Sequence, residues 1–157
     1  MFSARSSSSN SKASESLASW LQSRMHDLVR VTDENEFNRI FDDMFADNAR
    51  FHVNGKDMGR DDAKKHMMER KRDQKSGDLS LQGLVAVPRD ENKPEMGGYV
   101  GTFFTADITR KDNRKSRFIH CVNMEIEDTN NRAKSSDGRK ITRVHEVSAE
   151  SEHRGHN

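Results

Sequence analysis

The run FNRIFDDMFADNARFHVNGKDMGRDDAKKHMMERK, residues 37–71, switches from a helical to an extended apolar period and back again, and each switch is marked by a residue with a clear local role. Asp33 lies just ahead of it and Glu36 three residues further on, the spacing of a capping box that starts a helix. Phe37, Ile40, Phe41, Met44 and Phe45 then recur at i, i+3, i+4, i+7 and i+8, a full buried stripe. Ala49 to Val53 reads as a strand. Asn54-Gly55 is the pair that a two-residue hairpin prefers, because both positions need positive φ, and Lys56 to Met58 returns. Gly59 breaks the strand, and Asp61 is expected to cap a third helix running to about Asp73, with Ala63, His66, Met67 and the stem of Arg70 inward. A helix, a tight hairpin and a helix in so short a space leave few architectures open.

The flanks narrow them further. Leu17, Trp20, Leu21, Leu28 and Val31 fall on one stripe, which predicts a helix over 14–31. From Gly77 the period becomes two. Strands are predicted over 77–87, 99–108, 117–127 and 140–147, and the stretch 89–98, with Pro94 and a Gly-Gly pair, is a hairpin loop. Phe118, His120, Val122, Met124 and Ile126 share one face of their strand, opposite Ile119, Cys121, Asn123 and Glu125. Helices followed by hairpin-linked strands indicate an α+β fold with a mostly antiparallel sheet. The expected organisation is a Ser-rich tail over 1–13, one domain over 14–147 and a polar tail over 148–157.

Mean hydropathy is −1.04 and charged residues make up 34% of the chain, a balance that would suggest disorder if it were spread evenly. It is not: eight Phe and one Trp concentrate in the periodic segments. The net charge of +1 provides no overall field for nucleic acid or anionic membranes. Residues 26–47 hold seven acidic against two basic side chains, whereas 60–75 and 110–117 are locally basic. Neither basic run interleaves aromatics, so nucleic-acid binding is not expected. The single cysteine, Cys121, excludes an internal disulfide framework. No apolar run reaches the length of a membrane span, and cytoplasmic residence is the default. A Ser-rich start with Arg5 and Lys12 leaves a mitochondrial presequence as the alternative.

The order ααββαββββ and the run FADNA…G…GRDDAKKHM resemble the nuclear transport factor 2-like (SnoaL-like) superfamily. That resemblance implies a cone: three helices packed in a strongly curved, mostly antiparallel sheet whose open end accepts small molecules. It implies a pocket lined by Trp20, Phe41, Phe51, Phe104 and Met124 and a homodimer formed through the outer sheet face, where Ile119 and Cys121 mix with Asn123 and Glu125. In its ketosteroid isomerase-like branch the base is an Asp near the first strand; residues 49–54 here are ARFHVN, without a carboxylate, and the only tyrosine, Tyr99, lies on a later strand. The epoxide hydrolase-like branch needs an Asp-Arg-Asp network, of which only Asp107 and Arg143 suggest themselves. A dehydratase-like branch uses cavity histidines, and His52 and His120 are the candidates, set against the alternative of histidines satisfied by local partners. No metal-ligand spacing, phosphate loop or nucleophile elbow occurs, so no cofactor is expected. The expected function is a pocket domain binding a small apolar molecule without a recognisable complete catalytic set. The alternatives are a lyase or isomerase using the cavity histidines, and a dimerisation module.

Overall fold

A computed structural model describes residues 15–129 and 137–151 of the chain; the expected N-terminal tail and the last six residues lie outside that range. Helices α1 (Leu17–Arg30), α2 (Glu34–Met44) and α3 (Arg60–Lys71) pack on one sheet of six strands: β1 (Phe45–Val53), β2 (Lys56–Gly59), β3 (Gln74–Pro88), β4 (Gly98–Arg110), β5 (Lys115–Asp128) and β6 (Arg139–Ser151). The sheet order is β2-β1-β6-β5-β4-β3. Every neighbouring pair is antiparallel except β1 with β6.

The helix starts follow local chemistry. Ser16 accepts from the Ser19 amide at 3.1 Å, which moves the start of α1 to Leu17, three residues after the sequence expectation. Asp33 accepts from the Glu36 amide at 2.9 Å, half of a capping box. The Glu36 side chain does not reach back but pairs with Arg39. Gly59, not Asp61, occupies the N-cap of α3 and offers no side-chain bond; Asp61 and Asp62 lie in the first turn, where carboxylates favour the helix dipole. The hairpin turns as expected, with Asn54 at φ 50 and Gly55 at φ 82.

Two strand boundaries lie four residues from expectation. β1 starts at Phe45, directly after α2 with no loop, because Phe45 and Ala46 are buried and continue the core into the strand. β6 continues through Ala149 and Glu150 to Ser151, pairing with Arg117 to His120, although its polar sequence there suggested a tail from Ser148. Ladder bonds, rather than apolar burial, hold that end.

The core fills the space between the helices and the concave sheet face. Phe41 is fully buried at its centre, with ring centroids 5.8 Å from Phe37, 4.5 Å from Phe45 and 6.4 Å from Phe51. Each such side chain contributes about 1.5–3 kcal/mol through burial. Register shifts at Leu81/Gly83 and at Glu125/Ile126 bend the long strands and curve the sheet around the helices. Arg139 closes one end: its guanidinium bonds Asp137 and the carbonyls of Glu15 and Glu95 and stacks 5.5 Å from Trp20.

Candidate functional site

A cavity of about 620 Å³ opens between the concave faces of β4, β5 and β6 and the C-terminal ends of α1 and α3. Alternation along the strands determines what faces it. Phe104, Ala106 and Ile108 point in from β4, and Phe118 and His120 from β5. Phe104 and His120 are register partners, and their rings stack at 4.5 Å and 9°. The Phe118 ring lies 6.5 Å from His120, with the Arg70 guanidinium 5.9 Å from its centroid.

Glu146 of β6 completes this group. Its Oε1 lies 2.8 Å from His120 Nδ1, and the two side chains are 19% and 14% exposed. Val122, not His120, is the register partner of Glu146, so the pair forms diagonally across adjacent strands. A carboxylate can only accept. With Glu146 ionised, Nδ1 therefore carries the proton, and Nε2 is the basic nitrogen left for a ligand.

The other end of the cavity is basic. Lys71, the last residue of α3, donates to the carbonyls of Leu28 at 2.6 Å and Val29 at 3.0 Å, at the C-terminal end of α1. Burial lowers its pKa from 10.5 to about 8. Gln74 donates to the same Val29 carbonyl at 2.8 Å. Arg110 is occupied by Ser116 at 3.2 Å and Asp73 at 3.4 Å.

The two candidate histidines do not meet. Phe51 is buried on the inner face of β1, which turns His52 to the outer face beside its register partner His145, their rings 4.6 Å apart. His52 Nδ1 bonds Asp57 at 2.6 Å, and that bond holds the Asp57 carboxyl below its usual range. Of the residues expected to line a pocket, Phe104 faces the cavity, while Trp20, Phe41, Phe51 and Met124 are packed in the core and do not line it. Asp107 pairs with Arg117 at 2.7 Å on the outer face, away from Arg143. Among the described residues no three of His, Cys, Asp and Glu are close enough to share a metal ion, and no helix is long and apolar enough to cross a membrane.

Element order, curved sheet and concave cavity define the nuclear transport factor 2-like cone fold. No family model matches the chain, and no curated protein matches it in sequence. Solved structures do. A conserved protein from Planctomyces limnophilus superposes with TM-score 0.63 at 11% identity, over 86% of this chain and 95% of its own. An NTF2-like protein of unknown function from Exiguobacterium gives TM-score 0.52 at 19% identity, over 82% and 97%. A provisionally named scytalone dehydratase from Novosphingobium aromaticivorans gives 0.60 at 13%, over 87% and 89%. At these identities the likeness is one of fold.

Proposed function

We propose that this chain binds a small, largely apolar molecule in the cavity and moves a proton on it, as a lyase or isomerase with His120 as acid–base group and Glu146 as its orienting partner. The observation that carries this reading is the 2.8 Å His120–Glu146 bond inside a cavity walled by Phe104 and Phe118. Nε2 takes a proton from carbon, and the imidazolium so formed is stabilised by the Glu146 carboxylate. Returning that proton to another ligand atom completes an isomerisation; delivering it to a leaving oxygen completes an elimination. The similarity to a scytalone dehydratase-named structure agrees with the second outcome.

5-Nitrobenzisoxazole tests the reading without knowledge of the natural substrate. A base removes its C3 proton, the N–O bond breaks, and a coloured cyanophenolate is released. Turnover by the wild-type protein is expected to fall about a hundredfold in His120→Ala and to persist in His52→Ala. An unchanged rate in His120→Ala would remove the catalytic assignment.

A second reading concerns association. Val85, Val87, Tyr99, Phe103 and Val147, each at least 46% exposed, lie on the outer face of β3, β4 and β6, beside the exposed Cys121. An apolar patch of this kind on a sheet face favours pairing with a second copy. Sedimentation should give a dimer that Val147→Asp converts to monomer; a wild-type monomer at high micromolar concentration would exclude it.

A further inference from the structure

Lys71 is the one partly buried cation of the cavity wall that is paired with no carboxylate among the described residues. The others are accounted for. Arg110 bonds Asp73, and Arg70 is exposed and lies against the Phe118 ring. Of the acids, Glu146 is held by His120, Asp73 by Arg110, and Glu69 and Glu150 are exposed at the rim. An ammonium has three donors, and the Leu28 and Val29 carbonyls take two of them. Burial alone accounts for the lowered pKa of this side chain, with no acid raising it back. The local alternative is that Lys71 does no more than hold the end of α1. Helix capping explains the two carbonyl bonds; it leaves the third N–H and the charge without a partner among the described residues.

The position relative to the aromatic wall is set by the sheet. Gly77 lies so close to α1 that a Cβ on it would be 2.5 Å from the Val29 carbonyl, and Gly77 pairs with Ile108 of β4. Ile108 is four residues along β4 from Phe104, about 13 Å at the usual rise of a strand. The Lys71 amine, tied to that same Val29 carbonyl, thus lies toward one end of the cavity and the Phe104–His120 pair toward the other, with Phe118, the register partner of Ala106, between them.

The geometry points to a planar ring compound bearing an oxyanion, a carboxylate being the simplest case, as the ligand class: the ring lies along Phe104 and Phe118 beside His120, and the oxyanion accepts the third N–H of Lys71. This rests on the cavity being the ligand site, and it adds the charge and shape of what enters. It also divides the labour of the two ends, Lys71 holding the substrate by its anion while His120 reaches a carbon near the ring.

Two probes that differ only in charge, 2-naphthoate and 2-naphthamide, test it by NMR titration of the full chain, where shifted resonances report both affinity and place. The naphthoate is expected to bind about tenfold more tightly, the worth of a charge-assisted hydrogen bond in a partly desolvated site. That ratio should fall close to one in Lys71→Met and be retained in Lys71→Arg, which keeps the charge. Equal affinities in the wild type would overturn the inference while leaving the cavity as a binding site. A preference that survives Lys71→Met would overturn it by moving anion recognition to Arg70 or Arg110. If neither probe shifts resonances of Phe104, Phe118 or His120, the cavity reading itself fails and this inference with it.

Discussion

Replacing Lys71 by Met should change how stability depends on pH more than it changes stability at any one pH. Burial lowers the pKa of Lys71 from 10.5 to about 8. Between those values the unfolded chain holds the proton and the folded one releases it, so wild-type stability rises with pH across that window. Below pH 8 the full penalty is present, about 3 kcal/mol at pH 7 for a pKa drop of this size. Removing the ammonium relieves that penalty but strips the Leu28 carbonyl of its Lys71 donor; Val29 keeps Gln74. Lost bonds to a charged donor are worth about 1.5–3 kcal/mol each, so the two effects nearly cancel at neutral pH. The difference between two pH values does not cancel. Urea unfolding at pH 7 and pH 9.5 should show the wild type gaining about 2 kcal/mol over Lys71→Met across that interval. The other titratable groups facing the cavity, His66, Glu69, Arg70, Asp73, Arg110, His120, Glu146 and Glu150, are common to both proteins and drop out of the comparison. Parallel stability curves would mean that Lys71 titrates as a solvated lysine, and the partly buried ammonium without a carboxylate partner would be refuted.

Four further outcomes follow from packing and pairing. Phe41→Ala should destabilise the fold by about 3–5 kcal/mol in denaturant unfolding, because the ring is fully buried among Phe37, Phe45 and Phe51. Gly77→Ala puts a Cβ 2.5 Å from the Val29 backbone carbonyl and should cost about 1–3 kcal/mol. Gly83→Ala, with nothing within 4 Å, should leave the melting temperature nearly unchanged. Arg139→Met leaves the Glu15 and Glu95 carbonyls and Asp137 without their shared donor, and thermal unfolding should report a loss of about 3 kcal/mol.

The fold was legible where periodicity was strong. The α2 stripe from Phe37 to Met44, the Asn54-Gly55 turn and the alternating faces of β5 are local patterns, and the structure reproduces each, with Phe45 passing from the expected stripe to the start of β1. The candidate site was legible only by half, and the reason is parity. His120 shares a face with Val122 and Met124 and could be placed inside from its own strand. Glu146 could not. The irregularity that pairs Glu125 with Arg143 but Ile126 with Ile141 leaves Thr142 as an extra residue in β6. Strict alternation from Ile141 would turn Arg143 and His145 inward; the extra residue turns Val144 and Glu146 inward instead. The same parity rule separates His52 from the cavity, since Phe51 takes the inner face of β1. Trp20, Phe41, Phe51 and Met124 carry no local mark that separates a pocket wall from a packed core; only the fit of helices to sheet decides. Lys71 follows Met67 by one helical turn, a signal hidden by the polar composition of α3.

The most direct measurement is a crystal structure of the protein grown with 2-naphthamide, a neutral planar probe that needs no help from Lys71. Ring density against Phe104, within reach of His120 Nε2 and with the Glu146 bond to Nδ1 intact, is the expected result. A probe bound only on the outer face, at Val85, Tyr99 or Val147, beside a cavity that excludes it, would contradict the assignment of the site.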